Sequence, residues 1–184
     1  MKDFLSQHVS DNELAKAGSF DDLVHRYTGP VYNFVFRLTG NRQVAEDLTQ
    51  ETFIKVWKNL AKYDASHNFR AWLFTIARNT CTDYLRKKKS IPFSTLSPDA
   101  DLPFEETLAD SEPLPEKTLE KIEDSELLEQ FLAELPPDYR IVLVLHYQEE
   151  MTFDEIGNVL GKPLNTVKSH HRRALEMLRK LAES

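Results

Sequence analysis

The chain has one cysteine, five glycines and no long apolar run among its 184 residues. The single cysteine, Cys81, excludes an intrachain disulfide and fits a reducing cytoplasm. It falls inside a helical pattern and reads as a small buried hydrophobe. With so few glycines there is no glycine-rich phosphate loop, and a nucleotide-binding fold is not expected. No stretch approaches the roughly 18 consecutive apolar residues of a membrane span. The N-terminal MKDFLSQHVSDNE lacks the apolar core of a signal peptide. The histidines show no ligand spacing with the cysteine or the carboxylates, so neither a metal nor a cofactor is expected. No nucleophile–base pair stands out. The expectation is a cytoplasmic protein that is not an enzyme and has no small-molecule substrate.

A net charge of −7 looks wrong for a nucleic-acid binder until it is divided along the chain. Residues 1–30 carry −2, residues 31–90 carry +6, residues 91–135 carry −11 and residues 136–184 carry zero. A basic block and a neutral block therefore flank an acidic one, and the asymmetry informs where the total does not.

Apolar residues recur at helical spacing over most of the chain. Phe20, Leu23, Val24 and Tyr27 form one stripe, and Val31, Phe34, Val35 and Leu38 another. Gly29-Pro30 predicts a break between two helices. Gly40-Asn41 ends the second and caps a third, from about Arg42 to Leu60, with an apolar face of Val44, Leu48, Phe53, Val56 and Trp57. Its other face carries Glu46, Asp47, Gln50, Glu51, Lys55 and Lys58. That is either a solvated face or a protein-docking surface. Residues 62–68 read as a loop. A further helix follows from about Phe69 to Lys88, with Phe69, Trp72, Leu73, Ile76, Ala77 and Tyr84 as its stripe. Basic groups beside aromatic ones suit single-stranded nucleic acid, although lysines at a helix end also suit its dipole. Residues 90–115 hold five prolines and many acidic groups, and read as an extended or disordered linker. Residues 117–135 are helical in pattern. The dense apolar run over 138–147 fits a strand or a buried helix, and its neighbours favour helix.

Residues 152–181 read as two helices joined by a tight turn. Thr152 and Glu155 make a capping box. Phe153, Ile156, Val159 and Leu160 recur at helical spacing. Gly161 suits a left-handed helix end, and Pro163 suits the start of the next helix. Val167, Ala174, Leu175, Leu178 and Leu181 line one side of that helix. Asn165, Lys168, Ser169, His170, Arg172 and Arg173 remain for its front and outer face. Amides, hydroxyls and guanidinium groups shown from an N-terminal half mark the recognition helix of a helix-turn-helix. An ordinary helical hairpin with a basic face is the bland alternative.

VYNFVFRLTGNRQVAEDLTQETFIKVWKNL, FRAWLFTIARNTCTDYLRKKK and LPPDYRIVLVLHYQEEMTFDEIGNVLGKPLNTVKSHHRRALEMLRKL together resemble a bacterial extracytoplasmic-function sigma factor of the sigma-70 family. The resemblance implies an all-α chain of two small helical domains joined by an acidic, flexible linker. Residues 1–90 would bind core polymerase and melt the −10 element, residues 91–117 would be the linker, and residues 118–184 would hold the helix-turn-helix for the −35 element. Asp47, Gln50, Glu51 and Trp57 match the surface that docks on the β′ clamp helices. Asp64, Ser66, Asn68, Trp72, Arg78, Asn79 and Arg86 match the parts that melt and read −10. Asn165, Thr166, Lys168, Ser169, Arg172 and Arg173 match those that read −35. The C-terminal domain would also meet the β flap, and an anti-sigma factor is an implied partner. The acidic linker would either occupy the path of nascent RNA, by mimicking its charge, or serve only as a solubilising spacer. His170 and His171 stand where more arginine or bulky apolar character is usual.

Two other readings compete. One is a polymerase-independent helix-turn-helix regulator, which has no need of the face around Asp47. The other is an interaction adaptor whose helix-turn-helix touches no DNA.

Overall fold

A computed structural model describes residues 19–89 and 125–183. The 91–117 linker and the proposed helical start over 117–124 lie outside the described residues. Among those residues there are seven α-helices and no strand. They are α1 (Phe20–Thr39), α2 (Arg42–Leu60), α3 (Phe69–Lys89), α4 (Ser125–Glu134), α5 (Pro137–Tyr147), α6 (Phe153–Leu160) and α7 (Leu164–Glu183). The chain divides into two compact units, and each is described by itself.

Ser19 caps α1 through a reciprocal box with Asp22, and Asp21 and Asp22 sit where the helix dipole favours anions. Gly40, at φ 63°, closes the helix with a left-handed cap. The break expected at Gly29-Pro30 does not occur, because α1 runs straight through Pro30. A proline there removes the N–H that would reach the Arg26 carbonyl and crowds that carbonyl. Two features offset this. Gly29 has no Cβ to strike the proline ring. Leu23, Tyr27, Val31, Phe34, Val35 and Leu38 are buried on both sides of the proline, so packing holds the helix together.

Asn41 caps α2 by accepting from the Val44 N–H at 3.0 Å. The inner face of α2 is Ala45, Leu48, Thr49, Thr52, Phe53 and Val56. Val44 is only half-buried, and Trp57, expected on this stripe, is 62% exposed. Trp57 lies one residue past Val56, a turn of about 100° away from the core. Thr49 and Thr52 take interior positions because each hydroxyl donates to a carbonyl of its own helix, at 2.7 Å in both cases.

Asn68 caps α3 by accepting from Ala71 N–H at 3.1 Å. The α3 core is Phe69, Ala71, Leu73, Phe74, Ala77, Thr80 and Cys81. Trp72, Ile76 and Tyr84, expected in this stripe, are half-buried at its edge. Phe74 meets Phe34 edge-on with centroids 5.3 Å apart, joining α3 to α1. Lys55 of α2 donates to the Thr80 hydroxyl of α3 at 3.1 Å. Burial pushes the Cys81 thiol up to about 12, which makes it inert packing.

In the second unit the run from Pro137 is helical, as its neighbours suggested. Pro137 occupies the first turn of α5, where its missing N–H costs nothing. Ile141 to Leu145 are all buried. Arg140 donates to the Ala133 and Leu135 carbonyls at 2.6 and 3.1 Å, satisfying the open end of α4. Leu132, Leu135, Leu143, Ala174 and Leu178 form a core in which α5 supports α7.

Candidate nucleic-acid interface

The geometry of the helix-turn-helix is set by short-range chemistry. Thr152 accepts from Glu155 N–H at 3.3 Å while the Glu155 carboxylate accepts from Thr152 N–H at 2.8 Å. This fixes the start of α6. Ile156, Val159 and Leu160 are buried. Gly161, at φ 65°, ends the helix. Gly157 is needed for a different reason. A Cβ on it would lie 2.9 Å from the Lys162 carbonyl oxygen, so only glycine lets the turn fold back this closely. The Lys162 N–H also donates to the Gly157 carbonyl at 3.0 Å. Lys162 pairs with Asp138 of α5 at 3.4 Å, with both side chains largely shielded from water. The turn is thereby anchored to the supporting helix.

On α7, Val167, His171, Ala174 and Leu178 point inward. Asn165, Lys168 and Arg172 are exposed, and Thr166, Ser169 and Arg173 are half-buried. All six sequence-predicted residues therefore lie outside the core stripe, on one helix. His170, expected on the outer face, is instead half-buried with its ring 5.0 Å from Tyr139. Arg172 lies 3.9 Å from Glu176 one turn on.

The two histidines explain themselves in the fold. His171 is buried among His146, Tyr147 and Phe153, with ring centroids 5.2, 5.7 and 5.0 Å away. Its Nε2 is hydrogen-bonded to the Tyr147 hydroxyl at 3.1 Å. Burial, and secondly His146, lower its pKa to about 4, so the ring is neutral. His146 donates from Nδ1 to the Met151 carbonyl at 2.9 Å and stacks on Phe153 at 4.5 Å. Nothing in the spacing of these residues along the sequence brings α5, α6 and α7 to one cluster.

A second polar surface lies on α3 and the loop before it. Trp72, Asn79 and Arg86 recur every seven residues and share one helix face. Arg78 sits apart from that face, but its guanidinium donates to the side-chain amide oxygen of Asn79, Oδ1, at 3.1 Å. The loop is clamped by rings, with Tyr63 lying 5.0 Å from Trp72 and 5.4 Å from Phe69. Asp64 accepts from Ser66 N–H at 2.9 Å, so its carboxylate shapes the loop, as Asn68 does by capping α3. Asp64, Ser66, Asn68, Asn79 and Arg86 are exposed.

The outer face of α2 is the third surface. Asp47, Gln50, Glu51 and Trp57 are all exposed. Glu51 pairs with Lys55 at 2.8 Å. Ile54 lies among them, 53% exposed, an apolar residue outside the sequence-predicted set. The available signal was its position, three and four residues beyond Glu51 and Gln50 on the polar side. Trp57 is supported edge-on by Phe20 at 4.8 Å.

The family model Sigma-70 region 2 matches residues 23–91, and Sigma-70, region 4 matches residues 125–178. The chain belongs to the sigma-70 family. It is 32% identical to the ECF RNA polymerase sigma factor SigW of Bacillus subtilis over 183 residues, 98% of this chain and 97% of that one. It is also 32% identical to the RNA polymerase sigma factor YlaC of Bacillus subtilis, over 90% of this chain and 94% of that one. Among solved structures it is similar to the sigma factor RpoE of Bartonella quintana, in complex with the anti-sigma factor NepR. There the TM-score is 0.67 and the identity 25%, over 89% of this chain and 96% of that one. This sigma factor is of the extracytoplasmic-function type and directs RNA polymerase to promoters. The two matched regions, in order on one chain, support a sigma factor over a free-standing regulator or an adaptor. No helix among the described residues is long and apolar enough to cross a membrane.

Proposed function

We propose that the three surfaces divide the work of initiation. The outer face of α2, with Asp47, Gln50, Glu51, Ile54 and Trp57, docks on the β′ clamp helices of core polymerase. The 62–68 loop and the Trp72, Asn79 and Arg86 face of α3, with Arg78 beside Asn79, melt and read the −10 element. The front of α7, with Asn165, Thr166, Lys168, Ser169, Arg172 and Arg173, reads the −35 element, and its domain meets the β flap. Residues 1–90, 91–117 and 118–184 then act as −10 domain, linker and −35 domain in the cytoplasm. An anti-sigma factor is a natural partner, as it is for the Bartonella relative. No enzymatic step is assigned.

The observation that carries this reading is the exposed face of α2. It places an apolar residue and an indole among carboxylates and an amide, on a helix whose opposite face is committed to a core. A tryptophan standing in water suits a protein anchor. Extruded bases in turn need stacking and hydrogen-bonding partners, because unstacking each one costs a few kcal/mol. The second domain, with eight basic and thirteen acidic side chains over residues 118–184, relies on polymerase to raise its effective concentration at the promoter.

Run-off transcription from promoters recovered by genomic selection, with core polymerase and with or without this chain, tests the reading. Transcripts that appear only when both are present support it. Specific DNA binding of equal strength without polymerase would overturn it.

A further inference from the structure

Leu164 is the first residue of α7 and is 41% exposed, a large apolar side chain left in water. The buried stripe of α7 starts only at Val167, so the core does not account for Leu164. Beside it stands Asn165, and one turn on stands Lys168, both exposed. The N-terminal residues of the second helix in a helix-turn-helix are the ones that approach base edges. In the major groove the apolar group on offer is the C5 methyl of thymine, and an asparagine amide pairs with two atoms of adenine. A leucine next to an asparagine at this tip is therefore matched to an A·T pair or to adjacent A·T pairs.

We propose that Leu164 is a specificity-determining residue that reads a thymine methyl group in the −35 element. The assignment rests on α7 being the promoter-reading helix. Closing the leucine over the methyl removes both from water. Deleting one methyl should cost about fourfold in recognition. The effect is confined to one base, unlike that of a phosphate contact, which weakens all sequences alike.

Each −35 thymine, on either strand, can be replaced singly by deoxyuracil, which removes only the methyl. Holoenzyme made from core polymerase and the full chain then transcribes matched templates in competition. The wild type should lose about fourfold at one thymine, in line with one buried methyl. Leu164→Ala should transcribe the thymine and uracil templates equally while still needing the −35 element. Leu164→Met should keep the discrimination. A wild type indifferent to uracil at every position, or a −35 element without an A·T pair, overturns the proposal. So does a Leu164→Ala variant as sensitive as the wild type. Scrambling the −35 element separates the two levels of failure. If scrambling has no effect, α7 does not read the promoter. If scrambling matters and uracil does not, only Leu164 is wrongly assigned.

Discussion

His171 sits beneath the polar side of α7 as a neutral ring, and this gives the molecule a pH signature. Its pKa in the folded chain is about 4, against an ordinary 6.5. Protonation therefore favours the unfolded chain. Stability is fully present above about 6.5, falls as the pH drops through that window, and stops falling near 4, the lower of the two values. Urea unfolding at pH 7.5 and pH 5 should show a lower midpoint at pH 5, and His171→Leu should show a smaller difference. Gly157 makes a second residue-scale claim. Gly157→Ala drives a Cβ to 2.9 Å from the Lys162 carbonyl. Forcing atoms into a filled space costs about 1–3 kcal/mol, so thermal melting should shift down. Gly157→Ala melting at the wild-type temperature would show that the turn can yield. Asn79→Ala should impair promoter opening more than closed-complex binding, since its amide can bond an extruded base edge. Permanganate reactivity of unpaired thymines reads this directly.

The helices differ in how far the sequence disclosed them. α6 and α7 were legible because their signals are local: Thr152 and Glu155, Gly161, Pro163, and a clean apolar stripe. α5 was legible through its neighbours. α1 was not, because Pro30 is a strong local breaker and only tertiary burial of Tyr27 and Val31 on either side overrules it. Replacing the proline should restore a helix bond. Pro30→Ala should raise the melting temperature, by an amount corresponding to about 1 kcal/mol, well under the roughly 3 kcal/mol that proline costs an isolated helix interior. A lowered melting temperature would mean that the ring itself packs. On α2 the boundary between core and surface was misjudged at Trp57 because periodicity fixes a face only to within a residue. The same uncertainty hid Ile54. Ile54→Ala with Trp57→Ala should weaken polymerase pull-down by roughly 2 kcal/mol or more, the scale of a buried aromatic anchor. Circular dichroism should be unchanged, because both residues lie outside the core. The His146, Tyr147, Phe153 and His171 cluster had no sequence signal, since three helices supply it.

At the scale of the molecule, the surfaces proposed for docking and for promoter reading lie on different helices of one chain, so damage to each should look different. The measurement that tests this most directly is transcription by core polymerase from a library of −35 variants. It compares wild type, Asp47→Ala with Gln50→Ala, and Lys168→Ala with Arg173→Ala. The α2 variant should lower output from every promoter by a similar factor and keep their ranking. The α7 variant should flatten the ranking. An arginine bonded to guanine is worth about 1–3 kcal/mol of discrimination, while a lysine on phosphate weakens all sequences alike. An α7 variant that ranks and transcribes the library as the wild type does, or an α2 variant that reorders it, would contradict the division of labour.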